Sequence, residues 1–340
     1  VIKRLVHKWE LALSMRDSDR RPLPFEWGVQ HLGDGHSGAD PHAYLRSFST
    51  EATARSDAFY AIPDSVRYRV LGSSLVFESP IQTAYPENNS AHFRLFAARS
   101  SDRAVIVVPQ WNADETSHVA LCRLLRRFRI SALLMSLPYH NDRRPKHLKR
   151  AEYMVSPNIG RTIEACRQAV QEVRLAVSWL VSEGYKEIGV FGTSIGSCIS
   201  FLALAHDERI GVGVFNHVSN YFADVVWTGI STRHVKQSLE GNVDLDDLRH
   251  FWAIISPQTF IHKLRGTSRD VLLISASHDL TFIPELSRAL FDECDKQGIR
   301  YDKLILPCGH YSMGRFPFKY ILGAVTVRYF KSSFRDKPQR

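Results

Sequence analysis

Ser194 stands at the centre of Gly192-Thr193-Ser194-Ile195-Gly196, between the apolar run Ile188–Phe191 and a helical pattern reaching Leu204. A serine hydroxyl becomes a nucleophile when a base takes its proton, and the base needs a carboxylate to fix its tautomer. A tight strand-to-helix turn serves that chemistry twice. It pushes the side chain out at the carboxyl end of the strand, and it aims the first amides of the helix at the same spot. The other two residue types have matching places later in the chain. Asp279 ends Val271-Leu272-Leu273-Ile274-Ser275-Ala276-Ser277-His278-Asp279, strand first and turn after. His310 lies in Leu306-Pro307-Cys308-Gly309-His310-Tyr311, just past the next strand. Together the three support acyl transfer through a covalent serine intermediate.

Each position has competitors. Asp224, beyond the preceding strand pattern, is the rival acid, and Asp279 could instead cap the helical run that starts at Pro284. His278 adjoins Asp279, and neighbours on a strand point opposite ways, so it is a poor partner for that acid. Cys308 lacks a sharp turn of its own and reads as a buried thiol. His31, Asp34, His36, Asp40 and His42 offer ligand chemistry, but their spacing matches no zinc pattern, and a turn-rich loop without metal is expected. Tyr139 and His140 follow the run Ile130–Leu137, at the sheet end where open α/β folds bind ligands. Asn112, Tyr139 and Trp227 are the candidate substrate contacts.

The elements that must position these groups follow from hydrophobic patterning. Tyr68–Val76 and Ala91–Ala97 read as an antiparallel opening pair. Then come short, nearly continuous apolar runs: Ala104–Val108, Ile130–Leu137, Ile188–Phe191, Ile210–Phe215, Val271–Ser275 and Leu304–Leu306. Parallel strands covered by helices on both faces read this way. Helical patterns alternate with them over Glu115–Phe128, Ile159–Glu183, Ile195–His206, Pro284–Gln297 and Phe316–Phe330, which implies right-handed crossovers. Residues 219–265 interrupt the rhythm with mainly helical pattern, the size of a small lid. Its apolar residues (Tyr221, Phe222, Val225, Trp227, Phe251 and Trp252) are placed to face a pocket or the core. Residues 1–60 are helical in spacing, with Leu5, Val6, Trp9 and Leu13 on one face, and 1–65 are expected to form an N-terminal extension.

Composition narrows the class. The 340 residues are 44 % hydrophobic and 23 % charged, an ordinary globular mix that excludes disorder and fibrous repeats. Lys and Arg number 44 against 35 Asp and Glu, a formal charge of +9 and a pI near 9.4. No nucleic-acid motif accompanies the basic clusters Arg123–Arg129 and Arg143–Arg150, so a solvated basic surface is expected and no nucleic-acid partner. A basic amphipathic helix near the N-terminus could contact a membrane, though packing on the body is the commoner use. Five scattered cysteines without a CxxC pair point to a reducing compartment, here the cytoplasm. The chain opens at Val1, which leaves a processed or trimmed N-terminus open.

From Tyr68 to Phe330 the chain resembles the α/β-hydrolase superfamily, on the serine elbow and the order Ser194, Asp279, His310. Pro86-Glu87, Ala91-His92-Phe93, Leu137-Pro138-Tyr139 and Arg143-Arg144-Pro145 add a resemblance to the α/β hydrolase domain-containing protein 18 group and its bacterial relatives. The resemblance implies an α/β-hydrolase fold: a mostly parallel sheet with helices on both faces over 66–335, carrying a small helical lid and preceded by an N-terminal helical extension. It implies a carboxylic ester hydrolase acting on a small-molecule or lipid ester through an acyl-enzyme, with no metal or organic cofactor. An amidase, a thioesterase, an acyltransferase or a catalytically silent binding module would share the pattern. Many hydrolases carry His-Gly after the strand Ala104–Val108, whereas this chain has Pro109-Gln110-Trp111-Asn112. The Ile195 N–H is the first oxyanion donor expected; the second is assigned to Trp111, with a residue either side left open.

Overall fold

The computed structural model describes residues 2–15, 20–33 and 40–334. Nine strands form one sheet: β1 (Tyr68–Leu71), β2 (Ser74–Glu78), β3 (Ser90–Phe96), β4 (Arg103–Val108), β5 (Ser131–Ser136), β6 (Glu187–Thr193), β7 (Ile210–Asn216), β8 (Asp270–Ala276) and β9 (Asp302–Leu306). Their order is β1-β2-β3-β5-β4-β6-β7-β8-β9. The first three strands pair antiparallel, as does β3 with β5, and every later pair is parallel. The expected single strand over Tyr68–Val76 is instead a hairpin. Gly72, at φ +60, turns the chain between β1 and β2.

Twelve helices flank the sheet among the described residues. The N-terminal three are α1 (Ile2–Ser14), α2 (Pro41–Ala54) and α3 (Ser56–Phe59). The crossovers carry α4 (Val119–Arg127), α5 (Ile159–Ser182) and α6 (Ile195–His206). Between β7 and β8 lie α7 (Phe222–Thr228), α8 (Arg233–Leu239), α9 (Leu245–Phe251) and α10 (Pro257–Phe260), followed by α11 (Pro284–Lys296) and α12 (Phe318–Ser333). Strand alternation sorts the core into two layers. Ala104, Ile106 and Val108 face a layer with α5 and α6, while Val105 and Val107 face Cys122 and Leu125 of α4 and Val327 and Phe330 of α12. None of the described helices is long and apolar enough to cross a membrane.

The helices between β7 and β8 do not hang free over the sheet. Trp252 and Phe251 are fully buried, and Trp252 donates its indole N–H to the Ile159 carbonyl. Helix α2 docks on this insertion: Ser49 donates to the His250 carbonyl, and His42 is 2.9 Å from Asp247. Helix α2 and the insertion therefore pack as one layer on the side of α5 and α6.

Of the motifs quoted for the narrower resemblance, Arg143 and the Tyr139 amide enter a buried polar network. The Arg143 guanidinium forks onto Glu172 at 2.6 and 2.7 Å, both side chains fully buried. Ser79 donates to Glu172, Arg143 also donates to the Asn88 and Ser136 carbonyls, and Gln168 joins Ser79 to Asn88. These bonds meet most of the pair's donors and acceptors, as a buried ion pair requires, while Arg143 Nε has no hydrogen-bond partner.

Candidate active site

The strand order reverses between β5 and β6 around β4, so the carboxyl ends of β4 and β6 flank the crevice where doubly wound sheets bind ligands. Ser194 sits there at φ 58°, ψ −123°, a conformation costing a non-glycine residue about 1–3 kcal/mol. Its N–H is tied to the Asn216 carbonyl of β7 at 2.9 Å. The flanking glycines are required by contact rather than by dihedral. A Cβ on Gly192 would lie 2.1 Å from the Gly196 carbonyl oxygen, and one on Gly196 would lie 2.3 Å from that of Val108. Only hydrogen at both positions lets β6, α6 and the end of β4 meet beneath the serine.

Asp279 is fully buried after β8, and its four lone-pair positions are all used. Oδ1 accepts the amides of Thr281 and Phe282 at 2.7 and 2.8 Å. Oδ2 accepts the Nδ1–H of His310 at 3.2 Å and that of His217 at 2.7 Å. Burial by itself raises the carboxyl, but the facing His310 and His217 outweigh it and hold it well below the usual carboxylate range. His217 is pushed down, by burial first and His310 second, against the pull of Asp279, and is neutral at pH 7. The imidazoles lie 4.3 Å apart, and Phe282 stacks on His310 at 5.5 Å with rings 4° from parallel. These three residues bring ligand-type atoms within 4.8 Å of one another, and the carboxylate faces both imidazoles at hydrogen-bond distance. The rival Asp224 lies on α7 and is forked by Arg249 at 2.6 and 2.9 Å. Cys308 is buried, its thiol pushed up to about 12.

A carboxylate from the far end of the chain supports the His310 loop. Glu10, fully buried on α1, accepts from the Tyr311 amide at 2.7 Å and from the Ser312 amide and hydroxyl at 3.0 and 2.9 Å. This rotates α1 from its expected orientation. Glu10, Leu13 and Ser14 face the body, while Leu5 is 60 % and Trp9 37 % exposed.

The loop after β4 is held from behind. Burial lowers His140 to about 4, so it is neutral; its Nδ1–H donates to the Pro138 carbonyl and its Nε2 accepts the Asn112 amide at 2.9 Å. Trp111 donates its indole N–H to the Ala151 carbonyl, and Asn112 Oδ1 accepts the Ala151 amide. The Asn112 N–H is thus engaged, while neither the Gln110 nor the Trp111 N–H has a described acceptor. A cavity of about 770 Å³ opens here, walled by Ser194, His310, His217, Trp111, Asn112 and His118. A small recess of about 40 Å³ continues past Ile195, Phe222, Val225, Val226 and Phe282.

Tyr139 and Trp227 wall neither space. Tyr139 is fully buried at φ 64° between Tyr85 and Tyr153, and Trp227 is half-buried beneath the Lys236 ammonium. Tyr139 is displaced because its segment folds into the aromatic cluster of the core, whereas Trp227 lies on α7 off the side formed by Phe222, Val225 and Val226, which does reach the recess. His118 and His217 were missed. His118, pushed down to about 4 by burial, lies 3.0 Å from the Thr193 hydroxyl through Nε2. His217 follows Asn216 directly after the run Ile210–Phe215, the same position rule that picks out Asp279 and His310. Of the candidate metal stretch, His31 pairs with Glu164, His42 with Asp247, and Asp40 caps α2; Asp34 and His36 lie outside the described residues.

No protein-family model and no curated protein matches the chain. Solved structures do. The Pyrococcus horikoshii acylaminoacyl peptidase aligns at TM-score 0.61 and 10 % identity over 82 % of this chain, which spans only 43 % of the peptidase. A Mycobacterium tuberculosis puromycin-hydrolyzing peptidase aligns at 0.56 and 10 % identity, covering 80 % of this chain and 48 % of its own. A cold-adapted esterase from an Arctic intertidal metagenomic library aligns at 0.51 and 14 % identity, covering 78 % of this chain and 97 % of its own.

Proposed function

We propose that this chain, which has the α/β-hydrolase fold, is a serine hydrolase that cleaves a carboxylic ester through an acyl-enzyme. The observation that carries the reading is the strained Ser194 turn sharing one cavity wall with His310, whose Nδ1–H is directed at the buried Asp279 carboxylate. In this reading Ser194 Oγ attacks the ester carbonyl carbon while His310 Nε2 takes its proton. Asp279 holds the Nδ1–H tautomer and stabilises the imidazolium. The Ile195 N–H, first in α6, and the Trp111 N–H hold the oxyanion, each donor being worth about 100–1,000-fold in turnover. His310 then protonates the leaving alkoxide, and a water deprotonated by the same nitrogen releases the acid.

The recess under Phe222, Val225 and Val226 suits an apolar acyl end, so these α7 residues, rather than Trp227 on the same helix, are assigned to acyl selection. The five free, buried cysteines suit a reducing cytoplasm. The resemblance to the narrower group rests on Pro86-Glu87, Ala91-His92-Phe93, Leu137-Pro138-Tyr139 and Arg143-Arg144-Pro145. The test is turnover of a p-nitrophenyl ester series beside matched anilides and thioesters, with Ser194→Ala as control. Ester turnover that falls about 10⁴-fold or more in the variant supports the reading; equal turnover in both proteins, or anilides preferred over every ester, overturns it.

A further inference from the structure

The face formed by α4 and α12 carries a pattern the hydrolase reading does not use. Neither helix contains an acidic residue. Arg123, Arg126 and Arg127 on α4, and Lys319 and Arg328 on α12, are exposed, and among the described residues none of them pairs with a carboxylate. Between the helices runs an apolar groove of about 710 Å³, lined by Leu124, Phe128, Tyr320, Ala324 and Val327. Its rim is unusually bare for a soluble face: Phe316 is 75 % exposed, Tyr320 63 %, and Phe128 and Ile321 are exposed as well. Lys319 and Lys331 lie over the Tyr320 and Phe128 rings, so cation and aromatic alternate along the rim. Leu124 and Tyr320 line both this groove and the cavity that holds Ser194.

We propose that the α4–α12 face docks on an anionic lipid surface, with Phe316 and Tyr320 entering the headgroup region and the arginines around them contacting lipid phosphates. Charge complementarity selects this occupant. A second copy of the chain would bring two cation-only faces together, whereas a leaflet of anionic lipid meets both the charge and the apolar rim. Exposed aromatic side chains have no use against the hydrated backbone of a nucleic-acid duplex. The continuity of groove and cavity gives the docking a purpose: an acyl chain lifted from the leaflet passes Leu124 and Tyr320 toward Ser194. The surface argument stands without the hydrolase reading, and the purpose rests on it.

The experiment is co-sedimentation of the full chain with phosphatidylcholine vesicles made with and without phosphatidylglycerol, at low and physiological salt. Binding to the anionic vesicles that weakens with salt is expected, with much less binding to the neutral ones. Each basic residue near such a surface is worth roughly fivefold in binding. Arg126→Glu with Arg127→Glu should therefore weaken binding by roughly 25-fold or more, and Phe316→Ser should weaken it independently. Turnover of a soluble short-chain ester should stay unchanged in both variants, which shows them folded. Ser194→Ala should bind like wild type, so failure of the chemistry is read separately from failure of the surface. Equal binding to both vesicle types, or unaltered binding by the charge-reversed variant, overturns the proposal. So does a DNA duplex that displaces the vesicles, or a dimer broken by Phe316→Ser with no vesicle binding.

Discussion

Replacing Glu10 with alanine tests whether the N-terminal helix belongs to the working site. The carboxylate accepts three hydrogen bonds, two from the backbone amides of Tyr311 and Ser312 and one from the Ser312 hydroxyl. A hydrogen bond to a charged group contributes about 1.5–3 kcal/mol, and water entering the vacated space offsets part of the loss. The expected destabilisation is about 3–5 kcal/mol, the size seen when a buried polar network is broken. The larger consequence falls on position. The loop that Glu10 pins begins with His310, and a displacement of about 1 Å at a catalytic group costs on the order of 100-fold. Turnover should therefore fall roughly 10–100-fold, with KM changed by no more than about threefold. Glu10→Gln should fall between, because Oε1 serves Tyr311 while Oε2 serves both Ser312 donors, and a carboxamide keeps only one acceptor. The assay is kcat and KM on a soluble ester, measured well below each variant's melting temperature. Wild-type kcat in the alanine variant, or activity lost only in proportion to the unfolded fraction, would refute the reasoning.

Asp279→Asn should reduce turnover at least about 100-fold more than Asp224→Asn, since a neutral amide cannot fix the His310 tautomer, while Asp224 holds Arg249; comparable turnover of the two variants would move the acid. Stability should decline as pH is lowered through the window between about 6.5 and about 4. His118 and His140 are held neutral by burial with values near 4, so the unfolded chain binds protons there that the folded chain refuses. Each contributes stability present above its unfolded value and lost as pH falls through the window, about 3 kcal/mol apiece. Urea unfolding across that window checks this, and His118→Asn should flatten the slope by about one proton.

The strands from β4 to β8 were legible because a strand covered on both faces must be largely apolar, and such runs are hard to mistake; the edge strand β9 showed only Leu304–Leu306. The hairpin of β1 and β2 was not legible, since Gly72-Ser73 interrupts Tyr68–Val76 without breaking its alternation. Ser194 was legible for a local reason: five consecutive residues encode its turn, with Gly192 required by contact with Gly196 and Gly196 by the end of β4. Asp279 and His310 were legible by position after a strand. Glu10 was not, because its partners lie 301 and 302 residues away and are backbone groups without sequence identity. A lone acid among the basic and apolar residues of α1 was the available signal. Tyr139 and Trp227 misled because a place near the carboxyl end of a strand does not fix which way the following loop turns. Tyr139 instead closes an aromatic cluster with Tyr85 and Tyr153 in the core.

The central claim is that Ser194 is an activated nucleophile, and covalent capture reads it most directly. The full chain is treated with a fluorophosphonate at neutral pH, digested, and the adduct located by mass spectrometry. A single phosphonylated residue at Ser194 is predicted, with labelling abolished in Ser194→Ala and slowed in His310→Ala. An unlabelled wild-type chain, or an adduct on any other residue that persists in the alanine variant, would contradict the account.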